Sequence, residues 1–152
     1  MHLGLRKHGD GTIESYRTVD DEAELFRGGF LALSQDVKVL NDNLATFLKR
    51  AGRQVIEKYG LKSEEIDWLL PHYSSHWFRQ QFYDGLIEVG LEIPYASWFT
   101  NLGSKGNVGA ASIYIMLEEL MASGKTEKGQ RILCVVPESA RMTFSFIHFT
   151  VV

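Results

Sequence analysis

Apolar residues recur along the chain with two spacings, one typical of helices and one typical of strands. Over residues 36–59 they step by three and four positions, which predicts a long amphipathic helix that Gly60 ends. Residues 78–89 predict a second helix, and the apolar segment that runs through Met121 predicts a third.

Short apolar or alternating runs between these helices predict the strands. We expect extended segments at residues 3–8, 12–19, 66–70, 95–98, 131–136 and 142–152. With residues 3–8 and 12–19 counted as one extended element, the order is strand, helix, strand, helix, strand, helix, strand, strand. This order predicts a layered α/β domain with a mostly parallel sheet and an antiparallel last strand.

Composition and charge limit the function classes. The 152 residues, 45% of them hydrophobic, are enough for one core and one domain. A formal charge of −3 argues against nucleic acid as the main partner. Because the sequence has neither a run of about 18 apolar residues nor a charged-then-apolar leader, we expect no membrane span and a cytoplasmic location.

The single cysteine, Cys134, excludes an internal disulfide. It lies in an apolar run typical of a buried strand, where a thiol is usually inert. A nucleophilic cysteine needs an exposed, electropositive setting, so we interpret Cys134 as a packing residue.

A glycine-spaced loop before the third helix contains Gly103, Gly106 and Gly109. The spacing G-x-x-G-x-x-G does not fit nucleotide-binding loops, which have G-x-G-x-x-G or end in G-K-[ST]. Two interpretations stay open: an ordinary strand-to-helix connection, or a site that holds an oxyanion. Asn107 is the polar side chain nearest the helix start, so it is the candidate for the second.

His72 follows the predicted strand 66–70 and Pro71. Functional side chains of open α/β sheets gather beyond the carboxyl ends of strands, although a lone histidine is more often structural. His76 lies four residues further on, at a spacing that suits zinc on a helix. Neither a third ligand nor an H-E-x-x-H pattern accompanies the pair, so we expect no metal.

Four segments in combination carry a resemblance to a known family. They are residues 66–72 (IDWLLPH), Asn101, residues 106–112 (GNVGAAS) and residues 128–133 (KGQRIL). Together they resemble the C-terminal half of β-ketoacyl-acyl-carrier-protein synthase III, in the thiolase-like superfamily. The resemblance implies a layered domain with a five-stranded mixed sheet and helices on both faces. It also implies that residues 1–152 are the C-terminal domain of an enzyme whose N-terminal half carries the nucleophilic cysteine.

The resemblance also implies a decarboxylative Claisen condensation with no cofactor, on acyl-carrier-protein or coenzyme A thioesters, in a homodimer. By motif match, His72 and Asn107 are the catalytic pair that hydrogen-bonds the malonyl thioester oxygen. Asn101 matches a second family asparagine, expected to shape the loop. The expected substrate-binding residues are Asn101, Ser75, Arg79, Ser139 and Ala140.

The chain departs from the family pattern at three places. Residues 73–75 read Tyr-Ser-Ser where the family has Gln-Ala-Asn, and Trp77 stands where the family has an arginine that binds the carrier protein. Residues 137–141 replace a glycine run beside the acyl pocket. These departures favour a divergent family member that acts on a substrate with an unusual acyl chain. An alternative hypothesis is a non-catalytic carrier-binding or assembly module with the same fold.

Overall fold

The computed structural model of the protein describes residues 5–30, 37–138 and 143–152. The chain divides after Leu40 into two compact units, the second running from Asn41 to Val152. The predicted α/β class is confirmed, since both units contain helical and extended segments. The predicted element starts at residues 3, 36 and 142 lie outside the described residues.

The first unit contains a β-hairpin. Strands β1 (Leu5–Lys7) and β2 (Ile13–Ser15) pair antiparallel, and the His8 N–H donates to the Thr12 carbonyl across the turn at 2.9 Å. The second strand is shorter than the predicted 12–19. The Ser15 side chain caps a short 3₁₀ turn that begins at the next residue, and this turn ends the strand.

The same unit contains a helix that the apolar pattern did not predict, α1 (Glu22–Arg27). Asp21 caps it, its side chain accepting a backbone N–H of the first turn, which is typical of helix starts. Arg6 connects the parts of the unit: its guanidinium lies 2.7 Å from the Glu14 carboxylate on β2 and 2.8 Å from the Glu24 carboxylate on α1.

The second unit is built on a mixed sheet. Its strands are β3 (Trp68–Pro71), β4 (Arg131–Glu138) and β5 (Thr143–Thr150), in that spatial order. β3 and β4 are parallel, and β4 and β5 are antiparallel. The predicted antiparallel last strand is therefore confirmed, whereas the described sheet, with one parallel and one antiparallel pairing, is mixed rather than mostly parallel.

The predicted number of strands is wrong for the described residues, where this sheet has three strands and the hairpin forms a separate sheet. Residues 95–98 were predicted as a strand, but Tyr95–Ser97 forms a 3₁₀ turn and only Trp98 makes a parallel bridge, to Leu69. The reason is aromatic packing. The Tyr95 ring stacks on Tyr83 with centroids 4.5 Å apart, and the turn places it there.

Four helices belong to the rest of the chain: α2 (Val37–Tyr59), α3 (Arg79–Ile87), α4 (Leu102–Lys105) and α5 (Ser112–Ala122). The long helix ends where predicted, since Gly60 has a φ of 64° and its N–H donates to the Ile56 carbonyl. Within the described ranges, no helix is both long and apolar enough to cross a bilayer.

Helices cover both faces of the sheet, as predicted. On one face α5 packs against alternate strand residues, in a core of Leu70, Ile113, Met116, Leu120, Ile132, Cys134, Val136 and Val151. On the other face, Val55 and Tyr59 of α2 lie across a groove from Leu133 and Phe146. Because both faces are covered, β4 is buried from Ile132 to Val136.

Helices α2 and α3 lie close together because a glycine faces a leucine between them. Gly85 of α3 leaves no room for a side chain: a Cβ there would lie 2.9 Å from Leu48 Cδ2. Leu48 is fully buried. This contact fixes α3, the helix that follows the His72 segment in the chain, against α2.

Candidate functional site

His72 lies at the carboxyl end of β3. Its backbone N–H donates to the Val135 carbonyl at 2.9 Å, so the parallel pairing extends to the functional residue. The residue is only 8% exposed. Burial lowers the pKa of His72 from its usual value, and the nearby Glu138 carboxylate opposes this shift in part. The imidazole is therefore neutral at pH 7 and offers an N–H donor without a formal charge.

A small cavity, called here the His72 cavity, lies beside this histidine. Its volume is about 10 Å³, room for about one water-sized group. Three segments converge on it: the end of β3, the residues from Thr100 to the glycine loop, and the first turns of α5. Its lining consists of Pro71, His72, Tyr73, Thr100, Asn101, Leu102, Gly106, Ser112 and Met116.

Asn107 follows the glycine of this lining. Gly106 has a φ of 73°, a conformation that favours glycine, and it turns the chain out of α4. The Asn107 side chain is exposed, and its Oδ1 accepts the Gly109 N–H at 3.0 Å. Because the oxygen is engaged in this turn, the amide NH₂ is the end that can donate to a ligand.

Ser112 holds the far side of the same loop. Its hydroxyl accepts the Val108 N–H at 3.1 Å, and the residue is buried at the start of α5. The loop that carries Asn107 is therefore tied to the helix that forms one wall of the His72 cavity.

Asn101 is a buried polar residue of the cavity lining, 9% exposed. Its side-chain amide donates to the Glu119 carboxylate at 2.6 Å, and its backbone carbonyl accepts the N–H groups of Ser104 and Lys105. The expectation that Asn101 shapes the loop agrees with these bonds.

Ser75 and Arg79 have local partners within the fold. The Ser75 hydroxyl accepts the Trp77 N–H at 3.2 Å and so caps the 3₁₀ turn that leads into α3. The Arg79 guanidinium lies over the Tyr95 ring, 4.2 Å from its centroid. Trp77, at the position where the family has an arginine, is 74% exposed.

Ser139 and Ala140, the remaining predicted substrate-binding residues, lie outside the described residues. The strand ends that flank them are described, and Glu138 pairs with Thr143. Because β3 and β4 are parallel, these strand ends lie at the same edge of the sheet as His72.

Cys134 is confirmed as a packing residue. It is fully buried in β4, and burial raises the pKa of its thiol to about 12. A thiol in this setting is not a nucleophile at neutral pH. In the part of the chain that the structure describes, no group of three or more His, Cys, Asp or Glu side chains is placed to hold a metal ion.

The sequence pattern missed two features of the site. Tyr73 was noted as a departure from the family and turns out to be 3% exposed and part of the cavity lining. Glu119 lies outside the four segments that carry the family resemblance. Ser112, Met116 and Glu119 lie on one face of α5 by helical spacing, and this periodicity could have identified the face that meets the loop.

Comparisons with known proteins agree on one family. Residues 56–136 match the family model described as 3-oxoacyl-[acyl-carrier-protein (ACP)] synthase III C terminal. The β-ketoacyl-[acyl-carrier-protein] synthase III of Prochlorococcus marinus is 35% identical over 132 residues, covering 87% of this chain and 36% of that protein. The enzyme of that name from Microcystis aeruginosa is 30% identical over 145 residues, 86% of this chain and 40% of that protein. The chain thus spans less than half the length of these relatives.

Solved structures give the same fold. A 3-oxoacyl-[acyl-carrier-protein] synthase III from Aquifex aeolicus superposes with a TM-score of 0.62 and 24% identity, covering 97% of this chain and 40% of that one. OleA from Xanthomonas campestris gives a TM-score of 0.68 and 24% identity over 76% of this chain and 32% of that one. These matches establish a thiolase-like α/β fold.

Proposed function

The chain belongs to the 3-oxoacyl-[acyl-carrier-protein] synthase III C-terminal family, and from that membership we propose that it is the C-terminal catalytic half of a condensing acyltransferase. The reaction is a decarboxylative Claisen condensation between an acyl group held on a cysteine and a malonyl thioester. The acyl groups arrive on an acyl carrier protein, the partner that the relatives' names give, or on coenzyme A.

His72 and Asn107 stabilise the enolate in this proposal. When the bond between the malonyl carboxylate and the α-carbon breaks, carbon dioxide leaves and the electron pair moves onto the thioester enolate, whose oxygen becomes negative. The His72 ring N–H and the Asn107 carboxamide donate to that oxygen. Two preorganised donors contribute about 3–4 kcal/mol each to such a transition state once water is excluded, which for the exposed Asn107 requires the substrate and the rest of the enzyme. The enolate carbon then attacks the acyl thioester, and the cysteine thiolate leaves.

The burial of His72 at the carboxyl end of β3 is the observation that carries the proposal. A buried imidazole with a lowered pKa stays neutral, so it donates a hydrogen bond without a positive charge that would hold the departing carboxylate. The exposed Asn107 amide supports the second donor, because the bond to Gly109 leaves its NH₂ group to donate.

The nucleophile must come from elsewhere in the enzyme. Cys134 is the only cysteine of the chain, and its thiol pKa of about 12 keeps it protonated. The chain spans only 36–40% of the relatives in the comparisons, which leaves length for a cysteine-bearing N-terminal half. We therefore expect this chain alone to be inactive, and the complete enzyme to be a cytoplasmic homodimer.

The test separates acylation from decarboxylation. In the complete enzyme, meaning this chain joined to the cysteine-bearing half, His72→Ala should still acylate the cysteine, seen by mass spectrometry, while decarboxylation of malonyl thioester falls by about a hundredfold or more. His148→Ala, an exposed residue of β5, is the matched control and should keep wild-type turnover. Normal decarboxylation by the His72 variant would refute the role.

A second candidate function is a carrier-binding or assembly module without catalysis. The departures from the family pattern at residues 73–77 and 137–141, beside the proposed catalytic residues, motivate it. The coding sequence upstream of Met1 separates the two functions: a continuous frame that encodes a cysteine-bearing half supports the enzyme. A genuine start codon at Met1 supports the module.

A further inference from the structure

We propose that Glu119 is a positioning residue for Asn107 and acts on it through Asn101. The inference rests on the proposed function, because it concerns where the proposed donor Asn107 is held. Glu119 lies on α5, and its carboxylate accepts the Asn101 amide at 2.6 Å. This bond ties the start of the glycine loop to the helix.

The chemistry of the pair fixes which way the Asn101 amide points. A carboxylate accepts hydrogen bonds and donates none, so the NH₂ group of Asn101 must face Glu119. The amide cannot flip without losing a short bond to a carboxylate, which is among the stronger hydrogen bonds in proteins. Asn101 is 9% exposed and lines the His72 cavity, so the bond to Glu119 also fixes a side chain of the cavity wall.

Backbone bonds pass this orientation along the loop. The Asn101 carbonyl accepts the N–H groups of Ser104 and Lys105 at 3.0 and 2.9 Å and the Ser104 hydroxyl at 3.1 Å. These bonds start α4, which has four residues and ends at Gly106, directly before Asn107. A displacement of Asn101 is therefore passed to a hydrogen-bonded turn whose far end carries Asn107.

The loop has a second attachment on the same helix. Ser112 accepts the Val108 N–H at 3.1 Å, one residue beyond Asn107. Ser112 and Glu119 are seven residues apart on α5, which places them on one face. The loop that carries Asn107 is thus attached to α5 at both Glu119 and Ser112. Without the Glu119 bond, only the Ser112 bond holds the loop on this helix.

A first experiment measures the coupling without using activity. In the 152-residue chain, side-chain amide signals of Asn101 and Asn107 are followed by ¹⁵N NMR. Glu119→Leu should shift both signals, whereas Glu118→Leu, its exposed neighbour on α5, should shift neither. Should Glu119→Leu unfold the chain, Glu119→Ala gives the answer, since it also removes the acceptor of the Asn101 amide with a smaller, strongly helix-forming side chain and should likewise shift both signals. An Asn107 signal that stays unchanged while the Asn101 signal shifts would overturn the proposal.

A second experiment uses the complete enzyme and a double-mutant cycle. Glu119→Leu should lower the kcat of malonyl-thioester decarboxylation about tenfold to a hundredfold, since small misplacements of a reacting group cost that much, with KM changed less than about twofold. Acylation of the cysteine should be unchanged. In an Asn107→Ala background, Glu119→Leu should cause no further loss, because both changes act on one donor. The same loss in both backgrounds would refute the inference.

Conservative replacement separates positioning from general stability. Glu119→Gln retains the acceptor and should recover decarboxylation to within about threefold of wild type, although its thermal stability falls. Activity as low as that of Glu119→Leu would contradict the hydrogen-bond role. If Asn107→Ala itself leaves decarboxylation unchanged, the proposed function fails. The NMR coupling between Glu119 and Asn107 is still decided by the first experiment.

Discussion

At the scale of the residue, the setting of His72 follows from two opposed influences on one ring. Burial at the end of β3 lowers the pKa of His72, and the Glu138 carboxylate acts in the other direction with a smaller effect. Desolvation therefore decides the protonation state. A neutral ring in a space of about 10 Å³ can serve as a donor to a single atom of a ligand, which is what an enolate oxygen requires.

The stability of the chain should depend on pH through His72. The pKa of His72 is 6.5 in the unfolded chain and lower in the folded chain. At a pH between these two pKa values, the unfolded chain therefore binds more protons than the folded chain. The contribution of neutral His72 is complete above 6.5 and is lost as the pH falls toward the folded-state value. His72→Asn should therefore flatten the acid side of the curve of unfolding free energy against pH, by at most about 1.4 kcal/mol per pH unit. Urea unfolding from about pH 5 to about pH 8 measures this slope.

The curves of unfolding free energy against pH for the wild-type and His72→Asn chains should differ in slope on the acid side. They should have the same slope on the alkaline side, where His72 is neutral in both the folded and unfolded states. An unchanged acid slope in the His72→Asn chain would mean that the histidine titrates like a solvated one. That result would contradict the buried, neutral donor on which the proposed mechanism depends.

The sequence predicted the position of His72 better than it predicted the contacts of the neighbouring loop. The strand-borne Pro71-His72 pair predicted a histidine at a sheet edge, and the structure places it there. The Glu119 bond to Asn101 could not be predicted, because helical spacing gives the face of α5 but not the loop that meets it. Such long-range contacts are fixed by how elements dock.

At the scale of the element, residues 95–98 show why one strand prediction failed. Alternating aromatic residues are typical of strands, but here their rings pack against Tyr83 of α3 and the Trp98 indole donates to the Ile93 carbonyl at 2.9 Å. These contacts bend the backbone into a 3₁₀ turn. The long helix α2 was predicted almost to its ends because its apolar spacing persists over many turns.

The contact between α2 and α3 yields a test of helix packing. Gly85→Ala places a Cβ 2.9 Å from Leu48 Cδ2, so the fully buried leucine must move. Such overpacking should lower the free energy of unfolding by about 1–2 kcal/mol, although alanine is the better helix former. In a Leu48→Ala background the space is free, and Gly85→Ala should become neutral or stabilising by up to about 1 kcal/mol. Urea unfolding of the four proteins of this cycle measures the coupling.

A Gly85→Ala effect of the same sign and size in both backgrounds would show that Leu48 does not limit the approach of the helices. Loss of folding in the Leu48→Ala chain is avoided by using Leu48→Val, which frees part of the same space. The sign of the coupling is the measured quantity, so the intrinsic cost of trimming Leu48 cancels in the cycle.

At the scale of the whole molecule, the chain combines a well-covered sheet with exposed apolar side chains around the proposed catalytic loop. Val108 is 48% exposed, and Tyr114 and Met121 on α5 are 70% and 44% exposed. Tyr114 and Met121 are seven residues apart, so they lie on one face of the helix. Large exposed apolar patches mark surfaces that another protein covers, which fits a domain that joins a second half.

We therefore predict that the 152-residue chain self-associates through this face. Covering a large apolar side chain stabilises an interface by about 1.5–3 kcal/mol, so Tyr114→Lys and Met121→Lys should each weaken association about tenfold or more. Phe26→Lys, an equally exposed position of the first unit, is the matched control and should leave association unchanged. Sedimentation velocity over a range of concentrations measures it. Because the same face is expected to meet the cysteine-bearing half, adding that half should replace self-association by a mixed complex, and a monomeric chain at high concentration would contradict the prediction.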